Sequence, residues 1–371
     1  MLHFTRPGHK GRLFLFAALA LLFAAALPAR AASVTYLDAT GQPQTVDATP
    51  LDGSESTLTS GWYVCQSGAL TYGATLAISG DVHLILADGC VMTTAGSFNR
   101  AGIAVNDGNA LTIYSQSAGS GKLTATGGNY GAGIGGDFLA SSVGAITITG
   151  GTVTATGGSS GAGIGGGRLG AGGDIAIGGN ADVTATGGDG SGPDSGGAGI
   201  GSGGTTDGTP VTAGAISIST SGSVNATGGG AGTTGGKGAD MGQGGYNGGD
   251  GADAVFHDIT ATAGAGGAIT PATAQSTVGG RVMFTITPDP GYVLDTLTLD
   301  GADVKGSVGA GGVLVVIGTA ANQAVAASFK LGASAAASVP ALDPKALLML
   351  VLLLVGVGGA MVAKVTTRRA R

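Results

Sequence analysis

Leu123-Thr-Ala-Thr-Gly-Gly128 returns as Val153 to Gly158, as Val183 to Gly188 and as Val224-Asn-Ala-Thr-Gly-Gly229, with a weaker fifth copy at Ile259-Thr-Ala-Thr-Ala-Gly264. The copies begin 30, 30, 41 and 35 residues apart. Two further boxes keep the same order within each unit. Gly-Ala-Gly-Ile-Gly stands at 131–135, 161–165 and 197–201, and Ile-x-Ile at Ile146/Ile148, Ile175/Ile177 and Ile216/Ile218. Ile-Thr-Ile and Val-Thr-Ala-Thr alternate large apolar with small polar residues, the period of a strand with one buried face. The strands are short, and Gly-Gly pairs separate them, where glycine tolerates a sharp corner at positive φ. One unit cannot bury its apolar side alone, but stacked units can, Ile on Ile and Val on Val. The spacing therefore predicts an all-β chain whose body is a parallel β-helix (solenoid) with its threonines facing out.

Working outward, 61–123 reads as degenerate turns of the same stack, with Asp-Gly corners at 88–89 and 107–108. The phrases Gly61-Trp62-Tyr63-Val64, Ser79-Gly80-Asp81-Val82-His83-Leu84-Ile85-Leu86 and Leu111-Thr-Ile-Tyr-Ser-Gln-Ser-Ala118 resemble a group of bacterial surface β-helix proteins. That resemblance implies an adhesin-like or carbohydrate-binding solenoid without assigned catalysis. After Gly264 glycine thins out and longer strands appear. Phe284-Thr-Ile-Thr-Pro-Asp-Pro-Gly-Tyr-Val-Leu-Asp-Thr-Leu-Thr-Leu-Asp-Gly301 resembles the divergent internalin-type B-repeat module, which implies a small β-rich spacer over 265–330.

Both ends carry address signals. Arg6, Lys10 and Arg12 precede the uncharged run Leu13 to Leu27 and a small-residue cleavage region ending near Ala32, a secretory signal peptide over 1–32. Residues 33–60 form a lead-in or cap. At the other end, 331–345 is a linker with a sorting box, 346–363 is an apolar run, and 364–371 is a basic tail. An 18-residue helix spans roughly 27 Å, barely a bilayer core, which reads as a C-terminal transmembrane helix with the basic end in the cytoplasm, either a plain retained anchor or part of a sorting signal. Val339, Pro340 and Leu342 resemble the bacterial IPTL-type sorting signal, with Ala341 in place of its Thr. The resemblance implies envelope processing machinery as a partner and a cell-surface location.

The 77 glycines and the single glutamate, Glu55, exclude a charged helical surface, and the missing Gly-X-Y period excludes collagen. Between Ser33 and Pro340 there are seven basic residues against 21 acidic ones, a net charge near −14. Nucleic acid is a poor partner for such a surface. Cys65 and Cys90, 25 residues apart in the exported part, are either a disulfide between adjacent turns or two buried thiols.

Catalytic groups are sparse. His83 lies in an apolar strand and reads as structural. His257 and Asp258 are adjacent, so on a strand they point to opposite faces. Asp137, Asp174, Asp182 and Asp207 fall mostly in turns, not in the close pairs that glycoside cleavage needs. The Gly131-x-Gly133-x-x-Gly136 match to a dinucleotide fingerprint has no helix after it. Gly248-Gly-Asp250-Gly-Ala-Asp253-Ala-Val255-Phe256 fits the calcium nonapeptide, and Gly235 to Asp240 fits its first six positions, with Gly242 where a large apolar residue belongs. Asp240, Asp250 and Asp253 are therefore either calcium ligands or members of a plain glycine-rich loop, and no other cofactor is expected. Trp62, Tyr63, Tyr72, Tyr114 and Tyr130 are the aromatics able to stack on sugar rings. The reading is a non-enzymatic surface adhesion or binding module for a polysaccharide or cell surface. The alternatives are a polysaccharide lyase or hydrolase on the same fold, and a structural spacer without ligand.

Overall fold

The computed structural model describes residues 31–332. The signal region, the sorting box (Val339, Pro340, Leu342), the apolar run 346–363 and the basic tail lie outside the described residues. Among the described residues no helix is long and apolar enough to cross a membrane.

Every Val-Thr-Ala-Thr copy up to Thr227 is a strand, and the strands pair in parallel and in register. Lys122–Thr126, Thr152–Thr156, Asp182–Thr186 and Val224–Thr227 follow Gly68–Tyr72 and Cys90–Ala95 in one six-stranded row. The Ile-x-Ile boxes make a second row, Ala110–Ser115, Ala145–Ile148, Ile175–Ile177 and Ile216–Ile218. The Gly-Ala-Gly-Ile-Gly boxes make a third, with Ile134–Gly135, Ile164–Gly165, Ile200–Gly201 and Met241–Gly242 in parallel. The chain visits the three rows in turn, once per repeat. Alternation sends Val82, Leu111, Ile146, Ile175 and Ile216 inward as one ladder, all buried. Each such side chain contributes about 1.5–3 kcal/mol. The intervening residues Thr124, Thr154 and Thr184 register with one another on the outer face.

The Gly-Gly pairs correct one expectation. Gly151 and Gly179, in the pairs that follow two of the Ile-x-Ile boxes, do turn at positive φ (81° and 59°), but the pairs that close the Thr-Gly-Gly boxes do not. These closing pairs are glycine because successive repeats touch there through their backbones. A Cβ on Gly158 would run into the Gly128 carbonyl oxygen, and one on Gly188 into that of Gly158. Gly157 N–H donates forward to Thr186 O, and Gly158 N–H donates backward to Gly131 O, so each pair ties three repeats together.

Both ends of the stack are covered. An antiparallel hairpin, Ala32–Leu37 with Pro43–Pro50, lies against the outer face of the second row, where Val34, Tyr36 and Val46 pack around Ala48, Val64 and Ile85. At the far end Thr273–Ser276 pairs antiparallel with Ile216–Ile218 and so continues the second row.

That strand belongs to a second unit with its own core around Phe284, Val282, Leu297 and Val325. A three-stranded antiparallel sheet (Gly267–Thr270, Arg281–Pro288, Val313–Ile317) packs on strands that include Tyr292–Leu299 and Gln323–Leu331. The fifth repeat copy lies here. His257–Ala263 pairs in parallel with Gln323–Leu331 and antiparallel with Thr273–Ser276, and Ile259 is buried in the second core. The unit thus begins at His257 rather than at 265. Period-2 alternation suits either sheet, and the partner strand decides between them.

Candidate functional site

The second row exposes whatever alternates with its isoleucines. With Ile146, Ile148, Ile175, Ile177 and Ile216 inside, Thr147, Ala176 and Ser217 register on the outer face. The N-terminal hairpin covers this face only as far as its turn at Leu37–Gly41. The second unit rises from it at Thr270–Thr273 with Arg281 and Met283. Between these two walls lies a cavity of about 490 Å³ with a floor of Thr147, Thr149, Ala176, Asn180, Ser217 and Ser219. Clefts at the junction of two units are preferred ligand sites. A neighbouring depression shares Ser219, Thr220 and Thr273 with it and ends at Asp258.

The only carboxylate in the main cavity is Asp38. Its partial burial favours the neutral acid, but hydrogen bonds from Thr40 Oγ1, Gln44 Nε2 and the Thr40 and Gln42 amides outweigh this. They hold its pKa below the ordinary aspartate range. Asp38 is thereby committed to its own turn. Ser217 Oγ donates to Arg281 O at 2.8 Å, which pins the start of the Arg281–Pro288 strand onto the floor.

The five aromatic residues picked for sugar stacking do not line this cavity. Trp62 stacks on His83 at 4.3 Å and on Tyr114 at 5.2 Å, and Tyr36 of the hairpin closes over Trp62 and Tyr114 at 4.8 Å each. Tyr63 donates its hydroxyl to Thr59 O. Tyr72 is buried and donates to Glu55 Oε2 at 2.7 Å. Tyr130 packs on Phe138 under the Arg168 guanidinium. These rings face one another or the protein, which leaves them poor platforms for a sugar. His83 Nδ1 stands 3.2 Å from the Tyr114 hydroxyl within the same cluster.

The aspartates serve as brackets between turns. Asp174 Oδ1 accepts from the Ala215 amide, Asp182 Oδ1 from Ser223 N and Oγ, and Asp137 pairs with Arg100 at 2.9 Å while accepting from Ala101 N. Asp207 is exposed. His257 starts the second unit's first strand beside Asp258, which accepts from Gln275 Nε2.

The calcium motif is not assembled. Asp240 accepts from the Gly228 amide and Asp250 from the Lys237 amide, while Asp253 is exposed. Among the described residues no three His, Cys, Asp or Glu side chains converge as a metal site. The reason lies in phase. Val255, which the nonapeptide needs inside, is 70% exposed, and its neighbours Ala254 and Phe256 pack on the core instead, closing the end of the stack.

Cys65 and Cys90 form a disulfide, with Cα atoms 5.9 Å apart, from the end of a second-row strand to the start of a strand in the six-stranded row.

Arg281 and the floor hydroxyls escaped the sequence reading because they come from segments far apart in the chain. The signal that was present is the alternation: Thr147 and Ser217 occupy the outward position of two of the three Ile-x-Ile boxes. No curated protein and no solved structure matches the chain. Residues 257–333 match the family model of the divergent InlB B-repeat domain, so the second unit, His257 strand included, is a module of that kind.

Proposed function

We propose that this chain is an exported, surface-held and non-enzymatic binding protein. Its stack is a parallel β-helix of the adhesin-like kind, and the B-repeat module stands between it and a C-terminal sorting signal and membrane span. The ligand is an extended glycan seated between the hairpin turn and the module. The observation that carries this reading is the 490 Å³ cleft with a hydroxyl-bearing floor and walls from two separate units. Polar groups of this kind suit sugar hydroxyls, and rigid parallel rungs hold them without a cost in ordering. A single carboxylate already consumed by its turn is a poor basis for glycoside cleavage, which uses two.

The test uses the full chain in mild detergent, incubated with acidic and neutral polysaccharides with and without calcium. Retention and soluble products are read in the same tubes. Retention without products is the expected result. Released oligosaccharides would replace the reading with a lyase or hydrolase, and no retention of any glycan would leave a structural spacer.

A further inference from the structure

We infer that the cleft selects saccharides that bear a carboxylate, and that Arg281 reads that group. This rests on the glycan-binding role proposed above. Three arginines lie among the described residues, and two are committed. Arg100 is paired with Asp137 at 2.9 Å, and Arg168 with Asp194 at 2.7 Å. Arg281 has no carboxylate partner among the described residues, is exposed, and stands on the wall of the cleft. In a body of net charge near −14, an arginine facing a cleft without a partner is out of keeping with its surroundings.

A guanidinium presents a planar fork that matches a carboxylate in bidentate fashion. Its backbone is anchored to the floor by the Ser217 hydroxyl, so the fork starts from a fixed point. The hydroxyls of Thr147, Ser219 and Thr273 lie in the same cleft and suit the ring hydroxyls of a sugar, while Pro271 and Met283 offer an apolar side for a ring face. Asp38 is bound up in its turn and does not compete for Arg281. Asp258 closes the adjoining depression, so a second carboxylate at that end is repelled. The ligand class is therefore an oligosaccharide with a uronic acid positioned at the module wall.

The test compares an oligogalacturonate with its methyl ester, the same backbone without the charge, on the full chain in detergent. Wild type holds the acid more tightly than the ester. Arg281→Gln weakens binding of the acid by about tenfold to a hundredfold and leaves the ester unchanged, in line with loss of a charge-assisted hydrogen bond. Arg281→Lys keeps part of the preference. Ser219→Asp, which places a like charge on the floor without touching the module, also weakens the acid selectively. Equal binding of acid and ester by wild type, or equal effects of both variants on the two ligands, overturns the inference while the binding role stands. If wild type holds neither ligand nor any neutral glycan, the binding role itself falls.

Discussion

At Gly158 a missing methyl group holds neighbouring repeats in contact. The Gly128 carbonyl occupies the place where a side chain would begin, and no rotamer change can relieve a clash with backbone. Gly158→Ala or Gly188→Ala is therefore expected to destabilise the protein by about 1–3 kcal/mol or more. Gly73 has open space around its Cβ position and no positive φ, so Gly73→Ala leaves the melting temperature nearly unchanged. Thermal melts of the three variants decide this. The alternation of Val153, Thr154, Ala155 and Thr156 was legible in the sequence because period 2 allows one assignment of faces. The purpose of the following glycines was not, because their contact is with residues one repeat away. A second residue-scale case is Glu55, which accepts from Tyr72 Oη and from the Asp52 and Gly53 amides at the start of the stack. Tyr72→Phe leaves the ring in place and removes one bond to a carboxylate, an expected loss of about 1.5–3 kcal/mol in a urea titration.

The hairpin and the first turns of the stack form an aromatic, covalently braced end, and its behaviour follows from burial. Burial raises the phenol pKa of Tyr36, with Asp38 adding to it; burial and then Glu55 raise that of Tyr72; burial pushes Tyr114 up to about 12. All three prefer the neutral phenol in the folded chain. For Tyr114 that contribution is whole below the unfolded value near 10 and is lost as pH climbs through about 12. The near-ultraviolet dichroism of Trp62 is expected to collapse in that window, together with the tyrosinate absorbance. Opening the Cys65–Cys90 bond, which closes a span of 25 residues, with the paired change Cys65→Ser and Cys90→Ser lowers stability by about 3 kcal/mol. At this scale the repeat strands were readable from pattern, whereas Ile259-Thr-Ala-Thr-Ala was assigned to the wrong sheet. Nothing within those residues names Gln323–Leu331 as their partner.

Across the whole molecule the cleft exists because two separate pieces stop short of each other on one face. Thr147 was readable as outward-facing, but the hairpin turn lies over a hundred positions before it and Arg281 over a hundred after it. No local pattern joins them. The acidic body also sets how a charged ligand arrives. On the proposed reading a uronate would be repelled at long range by the acidic surface and attracted at Arg281, so its association rate is expected to rise as salt is added from 10 to 150 mM; these concentrations correspond to screening lengths of about 30 and 8 Å. Stopped-flow measurements at the two salt levels check this; a falling rate would mean that local attraction dominates. The hairpin is fixed to the first turns and the module to Ile216–Ile218, so the copies between them act as a ruler. Deleting one 30-residue unit, such as 131–160, brings the walls closer by about one inter-strand spacing, ~4.8 Å. Near-identical tandem copies are prone to gain and loss by recombination, so on the proposed glycan-binding role copy number would set the length of glycan that fits, while Asp38 and Arg281 on the two walls stay in place.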